Sequence, residues 1–217
     1  MRLQLLSDLH LETEAFEPRP APQADLLVLA GDIDSSWRGL ELFANWPVPV
    51  LFVAGNHEFD RRDLDLAWPA LRARCASLGI RLLQRESCVI QTRRGRRVRF
   101  VGTTRWSDFD VFGERQRERA MRAARYYMAV MRATRGGRAF DPAAVREEGL
   151  ACRAWLATEL ARPIDGHQDL HSSAPRHRPT RRLPVLHRPM PATIKARCTA
   201  AGRAPRPRLA AHGRGRC

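Results

Sequence analysis

Three short apolar runs punctuate the first quarter of the chain, and each ends in small or polar residues. Residues 3–7 (LQLLS), 25–30 (DLLVLA) and 48–54 (VPVLFVA) read as buried strands of an α/β sheet. Between the second and third, residues 36–46 predict a short helix that offers Leu40, Leu42 and Phe43 to the core. Residues 60–78 carry helical spacing, with Pro69 predicting a kink or a restart. Strands follow at 81–83, 88–92 and 97–103, the last two joined through RRGR as a hairpin. Two longer helices are predicted at 114–134 and 142–161, the second capped by Asp141 with Pro142 in its first turn. The order is of βαβ type with a hairpin in the middle and no internal repeat, so the expected fold class is α/β.

Composition divides this picture in two. The 217 residues hold 38 Lys+Arg against 23 Asp+Glu, a formal charge of +15, and the 44% hydrophobic content excludes a fully disordered chain. The 54 residues after Pro163 contain 12 Lys+Arg, 2 Asp+Glu, 5 of the 7 histidines and 7 of the 15 prolines, hence +10 of the total. Those prolines break any helical period. The expected organisation is therefore a folded domain at 1–163 and a basic, Pro/Arg-rich, disordered tail at 164–217. Such a tail permits nucleic-acid binding through phosphate contacts, but the body carries only +5, so nucleic acid is not the favoured partner.

The five cysteines (Cys75, Cys88, Cys152, Cys198 and Cys217) are scattered and never spaced as CxxC, which suits reduced thiols in the cytoplasm. The first apolar stretch is too short for a signal-peptide core, and no run approaches the ~18 apolar residues of a membrane span. A cytoplasmic location with no membrane partner is expected.

Each of the first three strands runs into a polar cluster: Ser7-Asp8-Leu9-His10-Leu11-Glu12, Gly31-Asp32-Ile33-Asp34 and Gly55-Asn56-His57-Glu58. Carboxyl ends of strands in an open α/β sheet converge on one edge, where ligand groups collect. Asp8, Asp32 and Asn56 are thereby expected to meet. Carboxylate and amide oxygens with imidazole nitrogen favour Mn, Fe or Zn over soft, thiolate-bound ions, and one carboxylate can bridge two ions roughly 3.5–4 Å apart. Asp34 and Glu58 divide evenly between caps and groups that orient ligands. Glu12 reads as a solvated side chain, Trp106, Phe109 and Phe112 as packing residues, and Tyr126, Tyr127, Met128 and Met131 as core.

The segments SDLHLE, AGDID and AGNHEFD, taken in order, resemble the first three motifs of the calcineurin-like metallophosphoesterases, and residues 102–113 (GTTRWSDFDVFG) continue the likeness. The resemblance covers about residues 1–163. It implies a metal-dependent phosphoesterase that hydrolyses a phosphomonoester or phosphodiester through a hydroxide activated by two divalent or trivalent ions. It places Asp8 and His10 on the first ion, Asp32 as the bridge and Asn56 on the second. His57 is implied as the catalytic residue beside the substrate phosphate.

The same resemblance implies later histidine motifs, ending in G-H-x-H, that complete both metal shells. In this chain Gly166-His167 begins such a motif, but Asp169 stands where its second histidine belongs. Arg, Pro, Ala, Gly and His in this mixture are what a GC-rich coding sequence gives when read out of frame, so a frameshift near residues 164–167 is one reading of the tail. A catalytically impaired remnant of the family and a basic-tail nucleic-acid binder are the competing functional readings.

Overall fold

The computed structural model describes residues 1–92 and 95–163. Four strands form a parallel sheet in the order β1-β2-β3-β4: Leu3–Leu6, Leu26–Ala30, Val50–Val53 and Ile80–Leu82. Leu5 pairs with Val28, Val28 with Leu51, and Phe52 with Leu82. All four carboxyl ends thus lie on one edge.

The two-residue period of a strand sorts the core into two layers. Leu27, Leu29, Val50, Phe52, Ile80 and Leu82 face helix α1 (Leu64–Ser77), whose Leu64, Ala67, Leu71 and Cys75 are buried with them. Leu26, Val28, Ala30, Leu51 and Val53 face the other way, against Leu83, Cys88 and Phe100. The last two come from the antiparallel hairpin β5 (Glu86–Gln91) and β6 (Arg97–Gly102). Helices α2 (Glu114–Met131) and α3 (Pro142–Ala161) close the described chain, separated by the small hairpin β7 (Thr134–Arg135) and β8 (Arg138–Ala139). Asp141 caps α3 as expected, accepting from the amides of Ala143 and Ala144 at 3.0 and 2.9 Å.

Several expectations need correction. The first strand is not buried: β1 sits at the sheet edge, the hairpin covers only the central strands, and Leu3 and Leu5 are 41% and 61% exposed. Residues 36–46 hold only a 3-10 turn, Arg38–Phe43, whose three-residue period buries Leu40 and Phe43 but leaves Leu42 exposed. Pro69 does not interrupt α1. It lies on the exposed face, where the carbonyl it leaves unpaired meets water. Helix α2 stops at Met131 rather than residue 134, because Arg132 turns left-handed (φ 54°) and the chain enters a hairpin around Gly136-Gly137. That Gly-Gly pair, with φ of 55° and 74°, is the local signal for the turn. Tyr126 and Tyr127 are exposed, because α2 buries only Met131 fully; Met128 packs against the core.

Trp106 is buried as expected, wedged between Phe59 and Phe140, and Phe109 is half-buried against the same layer, whereas Phe112 is exposed. Cys75, Cys88 and Cys152 are buried free thiols. Among the described residues, no helix is long and apolar enough to cross a membrane. The tail at 164–217, with its histidines, Cys198 and Cys217, lies outside the described residues.

Candidate metal centre

The peptide backbone brings the site together before any side chain does. Beyond the last residue of β1 the chain keeps step with the loop after β2: the amides of Asp8, His10 and Leu11 donate to the carbonyls of Gly31, Asp32 and Ile33 at 3.0, 3.1 and 3.0 Å. Asp8, His10 and Asp32 all hold left-handed backbones, with φ of 52°, 45° and 51°. Such conformations cost non-glycine residues on the order of 1–3 kcal/mol and persist where the surroundings fix them. Gly55 admits the Asp32 side chain, since a Cβ there would collide with the Asp32 carboxylate and amide.

His10, Asp32 and His57 offer ligand atoms that all lie within 4.8 Å of one another. The two imidazoles meet edge to face, with ring centroids 5.0 Å apart. Asp32 is 2% exposed; its Oδ1 accepts from the His57 amide at 3.0 Å, while its buried Oδ2 has no hydrogen-bond partner. Burial, above all, lifts the Asp32 carboxyl above the ordinary range, and the charge of Asp8 adds to the lift.

Asp8 is not one of those three residues. It is exposed. Asn56 precedes the 3-10 turn His57–Phe59 and points its Nδ2 at Met131 Sδ, 3.8 Å away, which brings the last turn of α2 against the site.

Two further carboxylates, Glu58 and Glu12, hold the centre in place. Glu58 is fully buried and accepts from four backbone amides: Asp32 at 3.1 Å, Ile33 at 2.7 Å, Asp34 at 3.4 Å and Gly55 at 2.6 Å. It ties the loop after β2 to the loop after β3. Desolvation pushes its carboxyl up to about 7, against the pull of those amides. Glu12 is not merely solvated: Oε1 meets His10 Nδ1 at 3.2 Å, and Oε2 accepts from the Ser35 amide at 3.0 Å. Asp34 is a cap, accepting from the amides of Ser36 and Gly39 at 2.6 and 2.5 Å. Asp60, which sequence reasoning passed over, meets His57 Nδ1 at 2.9 Å. The signal for Glu12 and Asp60 was a carboxylate two or three residues after each histidine.

The Asp60 hydrogen bond, opposed by burial, raises the His57 imidazole from 6.5 to about 9. The metal-free protein is therefore expected to draw stability from His57 fully below pH 6.5 and to lose it as the pH climbs through 9. Urea melts across that window check this; an Asp60→Asn variant should flatten the decline.

Residues 1–101 match the model of the calcineurin-like phosphoesterase family. Among solved structures the chain is similar to the crystal structure of the phosphopantetheinyl hydrolase from Mycobacterium tuberculosis, at 18% identity and a TM-score of 0.49. That likeness covers 74% of this chain, which spans 62% of the other. No curated protein matches the chain significantly.

Proposed function

We propose that the chain is a metal-dependent phosphoesterase that cleaves phosphomonoesters or phosphodiesters at the His10, Asp32 and His57 cluster. The carrying observation is the unpartnered Oδ2 of a nearly inaccessible Asp32. A buried carboxylate oxygen without a partner is costly, and a cation answers that cost. The donor set of carboxylate, amide and imidazole fits Mn, Fe or Zn, so the residues present suit the group the family implies.

In this reading Asp8, His10, Asp32 and Asn56 would hold the metal. Bound metal supplies Lewis acidity toward water and toward the phosphoryl oxygens. Asp32 meanwhile orients His57 through its amide, and His57 supplies a proton or positive charge at the substrate phosphate. Asp60 keeps the His57 ring in register for that task. The partner is a phosphate-ester substrate. The folded domain at 1–163 carries the reaction, and the residues beyond it have no assigned part in it.

Metal content by mass spectrometry, with hydrolysis of a chromogenic phosphodiester in Mn²⁺, tests the proposal. Metal at or above one equivalent with turnover supports it; no metal and no turnover identifies a catalytically impaired remnant. His57→Ala is expected to slow turnover about 10²–10⁴-fold while loosening metal less. The proximity of His57 to His10 and Asp32 favours a second reading in which it is itself a ligand; loss of metal in His57→Ala selects that reading.

A further inference from the structure

Both imidazoles of the cluster are met at the same ring nitrogen by a carboxylate that follows on the chain. Glu12 lies 3.2 Å from His10 Nδ1, and Asp60 lies 2.9 Å from His57 Nδ1. An ionised carboxylate only accepts hydrogen bonds, so in each pair Nδ1 carries the hydrogen, and once the ring is neutral Nε2 keeps its lone pair.

We propose that Glu12 and Asp60 are positioning residues that fix both rings in the Nδ1–H form and reserve Nε2 for metal or proton. The proposal deepens the phosphoesterase reading and rests on it for the use to which Nε2 is put; the ring tautomers follow from the contacts alone.

Both carboxylates are themselves held. The second oxygen of Glu12 is anchored by the Ser35 amide, so Glu12 fixes His10 relative to the loop that carries Asp32. Asp60 is fixed by its own amide, which donates to the His57 carbonyl at 3.1 Å, and by its neighbour Arg61, whose amide donates to Met131 O at 2.7 Å. Its remaining oxygen, Oδ1, is buried without a partner. That oxygen makes no structural bond, so the hydrogen bond of the Asp60 side chain is the one to His57. All four side chains are partly covered, at 22–36% exposed, which shields the pairs from competing water without sealing off the rings.

Carboxylates behind metal-binding histidines commonly orient the ring and raise its basicity, and their loss costs 10–100-fold in metal affinity or activity. The spacing differs, two residues for Glu12 and three for Asp60. One pair therefore sits in the turn after β1, where the Thr13 and Glu14 amides donate to the His10 carbonyl, and the other across a 3-10 turn. The same chemical arrangement arises from two unrelated local backbones.

Long-range ¹H–¹⁵N correlation spectra of the full-length, metal-free chain, recorded at alkaline pH with neutral rings, provide the test. His10 and His57 are assigned by replacing each with glutamine. The expected result is Nδ1–H with an unprotonated Nε2 in both rings of the unsubstituted protein. Glu12→Ala should release His10, and Asp60→Ala should release His57, toward the Nε2–H form that free imidazole prefers. Nε2–H in either ring of the unsubstituted protein overturns the proposal for that ring, even where a variant fails to fold. In parallel, a Mn²⁺ titration should show 10–100-fold weaker binding in Glu12→Ala, and Glu12→Asp should recover part of it. A protein with Nδ1–H rings that takes up no Mn²⁺ overturns the metal reading and leaves this one standing. A protein that binds Mn²⁺ with Nε2–H rings does the reverse.

Discussion

Replacing Asp32 with asparagine is expected to make the metal-free protein more stable while abolishing its metal-dependent turnover. Asparagine keeps the Oδ1 that accepts from the His57 amide, so the loop after β3 stays tethered. It replaces the desolvated Oδ2, which has no partner, with a neutral amide. The folded Asp32 carboxyl is raised, chiefly by burial. Its ionised form therefore costs stability at every pH above the ordinary carboxylate range. Removing that cost should lift the melting temperature by about 2–4 °C for each 1 kcal/mol recovered. Turnover in Mn²⁺ should fall roughly 10³-fold or more, since a loss of only 4 kcal/mol in transition-state stabilisation has that effect. Thermal melts and metal content measured on the same preparation decide the matter. If Asp32→Asn retains activity, or melts lower without metal, Asp32 is a structural residue and the site lies elsewhere.

The opposite response is expected at Glu58. Glu58→Ala leaves the amides of Asp32, Ile33, Asp34 and Gly55 facing a void in the core. At about 1–3 kcal/mol for each unsatisfied buried group, the loss should amount to several kcal/mol, a large share of the total stability of a domain. Glu58→Gln keeps an acceptor and separates shape from charge. The folded Glu58 carboxyl is raised from 4.5 to about 7. The folded state thus binds more protons than the unfolded state between those values, and stability declines as pH rises from 4.5 to 7, then levels off. Glu58→Gln should remove that decline while leaving the His57 segment at higher pH in place. Chemical denaturation at a series of pH values distinguishes the two. An unchanged profile in Glu58→Gln would show that the buried carboxylate is not what titrates.

These contrasting residues also show what the chain reveals before it folds. The three apolar runs ending in polar clusters disclosed the parallel sheet and the edge on which Asp32 and its neighbours gather, because strand burial and chain direction are written in the local pattern. Leu3 and Leu5 misled for a reason that pattern does not carry: a strand at an edge and a strand at the centre share the same apolar spelling. Tyr126 and Tyr127 misled similarly, since helical spacing marks a face without saying whether another element covers it. Glu58 could be suspected of orienting neighbours only together with Asp34, and Asp60 not at all. The four amides that Glu58 accepts from belong to two loops joined only in space, and no reading along the chain pairs them.

The peptide ladder that continues from β1 into the loop carrying Asp8 and His10 has a thermodynamic consequence. Because main-chain bonds to Gly31, Asp32 and Ile33 order that loop, the entropy of arranging the donors is spent during folding and not during cation uptake. Binding to such a preorganised cradle buries almost no new apolar surface. Calorimetry of Mn²⁺ uptake should accordingly show a heat-capacity change near zero and an unchanged far-ultraviolet spectrum, the signature of an ion entering a finished receptacle and not of a loop closing around it.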